Sequence, residues 1–179
     1  MTAASGVPGI VLVGFMGSGK SSVGRELARR TGAEFVDADA WTERKTGREI
    51  RVLFAEEGEP AFREMEKAAL REILAVKGRV VAAGGGAFLD EENRKLMKAY
   101  GPVVYLEASA DTVLRRLAKD TKRPLLQGAD RESIVKGLLD RRVPEYRQAD
   151  HTVSTDGLTV KEIARRIIEL LKATEGGGT

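Results

Sequence analysis

The chain contains no cysteine and a single histidine, His151. The first absence excludes a disulfide framework and thiolate metal ligation, and the second leaves too little imidazole for a zinc site or a histidine relay. An excess of one charge is also missing. Thirty Lys and Arg residues face 27 Asp and Glu, a net charge of +3, so the pI near 9.2 carries no nucleic-acid footprint. Long apolar runs are absent too: Ile10–Val13 is far too short to span a membrane, and residues 1–9 hold no basic leader. What remains is the profile of a cytoplasmic protein with an ordinary core, 42% apolar and 32% charged over 179 residues, read as one domain over 1–179.

Short apolar runs alternate with helical patterns. Strands are expected at Ile10–Val13, Glu34–Val36, Arg79–Ala83, Val103–Leu106 and Thr152–Ser154. Helices are expected at Lys20–Arg30, in two segments over Trp41–Val76, and at Glu91–Tyr100, Ala110–Lys119, Arg131–Arg147 and Thr159–Ala173. Val160, Ile163, Ala164, Ile167, Ile168 and Leu171 recur at helical spacing. Strictly alternating strands and helices predict an α/β fold, a parallel sheet covered on both faces. Two segments interrupt the alternation. Residues 37–76 are long for one crossover and read as a helical subdomain beside the sheet. Residues 119–130, with "KRPLLQGAD", lack either periodicity and read as a mobile lid. The glycine-rich end, 174–179, reads as a disordered tail.

The stretch "VGFMGSGKSS", Val13 to Ser22, supplies the first chemistry. Gly14 to Ser21 matches G-x-x-x-x-G-K-[ST] in full, between a strand and a helix. Glycines let successive backbone N–H groups turn inward around phosphates, and the helix N-terminus behind them adds partial positive charge. Lys20 then reaches the β- and γ-phosphates of a nucleoside triphosphate, and the Ser21 hydroxyl is a Mg²⁺ ligand. GTPases need a base-reading N-K-x-D after a later strand, and this chain has none. A small kinase is the class that remains.

Candidate acceptor residues follow. Asp37 and Asp39 come after the second strand, at the carboxyl edge where ligands of open α/β sheets collect. If strand alternation continues, both carboxylates face one side, one holding Mg²⁺ through water and the other receiving a substrate hydroxyl. Equally, Asp39 can be the N-cap of a helix opening at Trp41. Arg63 and Glu66, three apart on the long helix, fit a surface ion pair as well as a binding element. Phe62, Met65, Ala69, Ile73 and Val76 form that helix's apolar stripe. Gly84-Gly85-Gly86 ends the third strand and offers a small ligand bare backbone N–H groups. Trp41 reads as helix packing and His151 as structural.

Together these residues resemble the shikimate kinase family of small P-loop kinases. The resemblance runs from Gly9 to about Leu171. It rests on the phosphate loop, Asp37-x-Asp39, Phe62-Arg63-x-x-Glu66, Gly84-Gly85-Gly86, Arg123-Pro124-Leu125-Leu126 and Arg142-x-Pro144-x-Tyr146. It implies a three-layer sandwich around a five-stranded parallel sheet in the order 2-3-1-4-5, acting as a monomer on ATP and shikimate with Mg²⁺. By resemblance, Gly17, Ser18, Gly19, Lys20, Ser21 and Ser22 hold ATP, Arg116 stacks on adenine, and Asp37 and Ser21 serve the metal. Arg123 is the lid arginine that meets the transferring phosphate. Asp39 takes the shikimate hydroxyls, Arg63 and Arg142 clamp its carboxylate, Gly84, Gly85 and Gly86 line it, and Phe54 and Phe62 wall it. Catalysis falls to Lys20, Asp39 and Arg123. The chain departs from the pattern at Ala83, where relatives often carry a hydroxyl residue, and at Ser154, where they vary. A gluconate kinase sharing only the phosphate loop would leave the paired arginines and triple glycine unexplained. A catalytically inert nucleotide-binding module would not need Lys20, Ser21, Asp37, Asp39 and Arg123 together.

Overall fold

The computed structural model describes residues 9–118 and 130–175. Arg123 and the expected lid, apart from Asp130, lie outside the described residues, as does the tail beyond Glu175.

Five strands form one parallel sheet: β1 (Ile10–Val13), β2 (Glu34–Asp37), β3 (Arg79–Ala82), β4 (Val103–Glu107) and β5 (His151–Ser154). Their order is β2-β3-β1-β4-β5, with every pairing parallel. The central strand shows why: Ile10–Val13 is apolar at every position and buried at every position. Period-2 alternation divides it between two layers. Ile10 and Leu12 join Val80, Val104 and Val153 in a core shared with Val23 and Leu27 of α1 (Lys20–Thr31) and Ile163 and Ile167 of α7 (Val160–Glu175). Val11 and Val13 face the opposite way, toward Leu70 and Ile73 of α3 (Ile50–Leu74), Met97 of α4 (Glu91–Tyr100), Val113 of α5 (Ala110–Leu117) and Tyr146 of α6 (Arg131–Tyr146). The three-layer sandwich and strand order are those expected.

The departures are local. The helix after β2 begins at once: α2 spans Ala38–Thr46 and not a segment opening at Trp41. Its N-cap is Asp37, whose carboxylate accepts from the N–H groups of Asp39 and Ala40. The capping role considered for Asp39 therefore belongs to its neighbour. Helix α3 is broken at Gly58, whose backbone is non-helical, two residues before Pro60. A short 3₁₀ turn, Ala87–Leu89, follows the triple glycine. Helix α7 continues through Glu175, two residues past the expected Ala173. Trp41 packs against the core, and Arg44 and Arg79 each lie 5.9 Å from its ring.

Candidate active site

The phosphate loop connects β1 to α1 at the carboxyl edge of the sheet, between β3 and β4. This is the point where successive crossovers leave in opposite directions and a crevice opens. Gly17 and Gly19 have φ of 76° and 98°, a left-handed region that a residue with a Cβ enters only at a cost. Gly19 is also the N-cap of α1, so the helix dipole begins where the loop closes. Lys20 Nζ donates to the carbonyls of Gly14 and Phe15 at 2.8 and 3.0 Å, which folds the ammonium over the loop. Ser18 is fully buried, its N–H donating to Phe15 O at 3.1 Å. Its hydroxyl has no hydrogen-bond partner among the described residues. Ser22, by contrast, sits exposed on the first turn of α1.

Ser21 and Asp37 meet. The Ser21 hydroxyl donates to Asp37 Oδ2 at 2.5 Å, while Asp37 Oδ1 caps α2. One carboxylate thus ties the phosphate loop to the start of the next helix. Both groups present hard oxygen donors beside the loop, the chemistry Mg²⁺ selects. No group of three or more His, Asp or Glu side chains converges among the described residues. A Mg²⁺ here would accordingly take its other ligands from phosphates and water, which is this ion's habit in nucleotide sites.

Asp39 and Glu66 converge on the triple glycine. Because α2 begins at Ala38, Asp39 reaches the triple glycine from a helical first turn and not by the strand alternation expected of it. A Cβ on Gly84 would lie 2.9 Å from Asp39 Oδ1 and closer still to Glu66 Oε1. A Cβ on Gly86 would lie 2.5 Å from Arg63 Nη1. On Gly85 it would face the phosphate loop, 3.7 Å from Met16 N and 3.9 Å from Gly14 O. At Gly84 and Gly86 the missing side chains are therefore occupied space, filled by Glu66, Asp39 and Arg63, while at Gly85 the phosphate loop lies at ordinary contact distance.

Arg63 is held on several sides. It donates to Glu66 at 2.9 Å and Glu59 at 3.0 Å, and its guanidinium lies 5.8 and 5.5 Å from the rings of Phe54 and Phe62. Those rings are themselves 4.4 Å apart. Arg142, from α6, lies 5.5 Å over the ring of Phe15 in the phosphate loop. Arg116 serves the other side of the loop. It donates to the carbonyls of Gly17 and Ser18 and to Thr155, each at 3.1–3.2 Å, and burial lowers its pKa. Thr155, fully buried, escaped the sequence reading, which looked to Ser154. No short motif marks it.

Glu66, quoted in a motif but given no role, is the other omission. It is 5% exposed, and burial raises its pKa above the ordinary glutamate value although Arg63 opposes the shift. For Arg63, burial works against the charge, but Glu66 and Glu59 outweigh it and the pKa is raised. Folded Glu66 thus binds its proton more tightly than the unfolded chain does, so stability falls as pH rises through the folded pKa. Removing Arg63 lifts that pKa further. Arg63→Ala is expected to be about 1–3 kcal/mol less stable than wild type near neutral pH, the cost of a buried polar group left unpaired. The deficit shrinks as pH falls below the raised pKa of Glu66 in the folded wild type, where the carboxyl is protonated in both folded proteins and no charge is left stranded. Urea unfolding followed from about pH 7 down to about pH 4 checks it, and a deficit constant over that whole range contradicts this account.

The chain can now be set beside known proteins. The family model described as shikimate kinase matches residues 16–172. A shikimate kinase of Thermodesulfovibrio yellowstonii is 42% identical over 95% of this chain and 98% of its own length. One of Francisella philomiragia is 46% identical over 90% and 93%. Among solved structures, shikimate kinase from Acinetobacter baumannii in complex with shikimate superposes with a TM-score of 0.91 at 41% identity, covering 96% of this chain and 97% of that one.

Proposed function

The chain belongs to the shikimate kinase family, and on that premise we propose how its residues perform the family's reaction. Its function is ATP-dependent transfer of the γ-phosphate to the 3-hydroxyl of shikimate, giving shikimate 3-phosphate and ADP on the route to aromatic amino acids. The site assignment is carried by one observation, the triple glycine lying beside the phosphate loop with the side chains of Asp39, Glu66 and Arg63 packed against it. A ligand seated there has its hydroxyls beside a carboxylate and its anionic group beside guanidinium forks, which suit a carboxylate geometrically.

In this reading the loop residues Gly17 to Ser22 bind the ATP phosphates, with Lys20 leaving the Gly14 and Phe15 carbonyls for phosphate oxygens. Arg116, its plane fixed by Thr155 and the loop, offers a flat face to adenine. Ser21 and Asp37 would hold Mg²⁺, Ser21 directly and Asp37 through water. When bound, this ion offsets charge on the β- and γ-phosphates. Arg63 and Arg142 orient shikimate through its carboxylate. Asp39 aligns the attacking hydroxyl and accepts its hydrogen bond, and Phe54 and Phe62 exclude water from the ring. Orientation is most of what phosphoryl transfer demands of a protein. Arg123 is assigned to the transferring phosphate on the sequence alone, and the active species is taken as a cytoplasmic monomer. No helix among the described residues is long and apolar enough to cross a membrane.

The test is a coupled ADP-release assay with and without shikimate, with gluconate as the competing acceptor. ADP release that depends on shikimate and not on gluconate is expected. Release indifferent to shikimate, or faster with gluconate, overturns the reading.

A further inference from the structure

Tyr146 takes no part in the account above, yet it touches the acceptor loop. Its hydroxyl donates to the carbonyl oxygen of Gly85, its side chain is wholly buried, and its ring stacks on Tyr105 with centroids 5.1 Å apart. It lies on α6 four residues after Arg142, on the same helical face.

The bonded carbonyl belongs to the peptide joining Gly85 to Gly86. No cis peptide occurs among the described residues, and in a trans peptide the C=O and the following N–H point in opposite directions. Fixing Gly85 O toward α6 therefore turns the Gly86 N–H away from α6. Flanked by glycine on both sides, this peptide has the widest rotational freedom any peptide can have, so its direction needs an outside tether. On its remaining sides the unit meets the phosphate loop at Gly85 and the Arg63 guanidinium at Gly86, the two groups between which the acceptor is to sit.

We propose that Tyr146 is a positioning residue for the acceptor: its hydroxyl locks the Gly85–Gly86 peptide so that the Gly86 N–H is presented to shikimate, in the same rigid frame as Arg142. The inference rests on the functional reading above. Burial of the ring and its stacking on Tyr105 make the tether stiff, and one helix then carries both an arm of the carboxylate clamp and the pin of the backbone donor.

Tyr146→Phe removes the hydroxyl and keeps the ring. It is expected to lower kcat/KM for shikimate by about tenfold or more, the worth of a buried hydrogen bond left unmade, while KM for ATP stays within twofold of wild type. A purely structural tyrosine would lower the unfolding midpoint without separating the two substrates. A second protein carries 3,5-difluorotyrosine at 146, whose hydroxyl ionises nearer neutral pH and, once ionised, cannot donate. The charged and titratable groups facing it are Arg142 on α6, Arg63 and Glu66 on α3, and Tyr105 on β4. In that protein KM for shikimate should climb with pH while KM for ATP stays flat, and wild type should show no such climb. Should Tyr146→Phe fail to fold, this profile decides alone. Wild-type turnover that ignores shikimate overturns the functional reading and the proposal with it. Shikimate-dependent wild-type turnover overturns the proposal alone if kcat/KM of Tyr146→Phe is within twofold, or if the fluorinated protein follows the wild-type profile over a pH range in which its ultraviolet absorbance shows the buried phenol at 146 ionising.

Discussion

Lys20→Ala is expected to reduce turnover by about two to three orders of magnitude or more, the loss seen when one preorganised donor to developing charge is removed. Its ammonium sits at the mouth of the phosphate loop, 2.8 and 3.0 Å from the carbonyls of Gly14 and Phe15. Those bonds give the residue a second task, closing the loop before nucleotide arrives, so the variant will not be neutral toward stability. Each is a partly buried bond from a charged donor, worth about 1.5–3 kcal/mol, while the helix behind them is capped at Gly19 whether or not the lysine is present. Turnover and stability are therefore both expected to fall. Measuring kcat together with the urea midpoint separates the two. Lys20→Arg should not restore turnover, since a planar fork does not fit where a compact ammonium reaches between phosphates. A folded Lys20→Ala protein within tenfold of wild-type turnover would remove the loop from the mechanism.

The ease with which parts of this site could be read from sequence follows from what each part demands of the chain. A backbone that wraps phosphates needs glycine at set intervals and a helix start behind it, and both needs are local, so Gly14 to Ser21 was legible. The sheet order came from a family resemblance and not from pattern, because buried parallel strands all look alike, and Ile10–Val13 differs little from Val103–Leu106. Asp37 and Asp39 were found but their geometry was misjudged. Strand alternation does not reach Asp39, two residues past the strand end and across a helix start that Asp37 itself caps. On α3 the expected stripe holds at Phe62, Ala69 and Ile73, whereas Val76 lies past the helix end and is 47% exposed. Glu66 was illegible for the converse reason. A glutamate three residues from an arginine describes a surface pair as well as a buried one, and what buries this one is the missing Cβ of Gly84, far away in sequence. Tyr146 and Thr155 are of the same kind: their contacts at Gly85 and Arg116 exist only once the sheet brings separate crossovers together.

Two glycine-to-alanine changes should act in opposite directions. Gly137 lies within α6, where an added Cβ meets nothing within 4 Å. Gly137→Ala is expected to raise stability by about 0.5–1 kcal/mol through helix propensity and to leave both Michaelis constants alone. In Gly86→Ala the new methyl would lie 2.5, 2.6 and 2.7 Å from Nη1, Nη2 and Cζ of Arg63. A long side chain would ordinarily swing clear, but this guanidinium is held by Glu66 and Glu59 and lies against Phe54 and Phe62. Displacing it pulls one arm from the carboxylate clamp and disturbs the pairing of buried Glu66. Loss of one charge-assisted contact costs about 1.5–3 kcal/mol, or roughly 10- to 150-fold in affinity. The expected result is a rise of that size in KM for shikimate, with KM for ATP within twofold of wild type because the phosphate loop is untouched. Arg63→Ala should give a similar rise, and the double variant little more than either alone, since both remove the same contact. Steady-state kinetics in each substrate, with calorimetric shikimate binding, decides the matter. Additive losses in the double variant, or a Gly86→Ala enzyme with wild-type shikimate affinity, would show that the third glycine does not make room for the clamp.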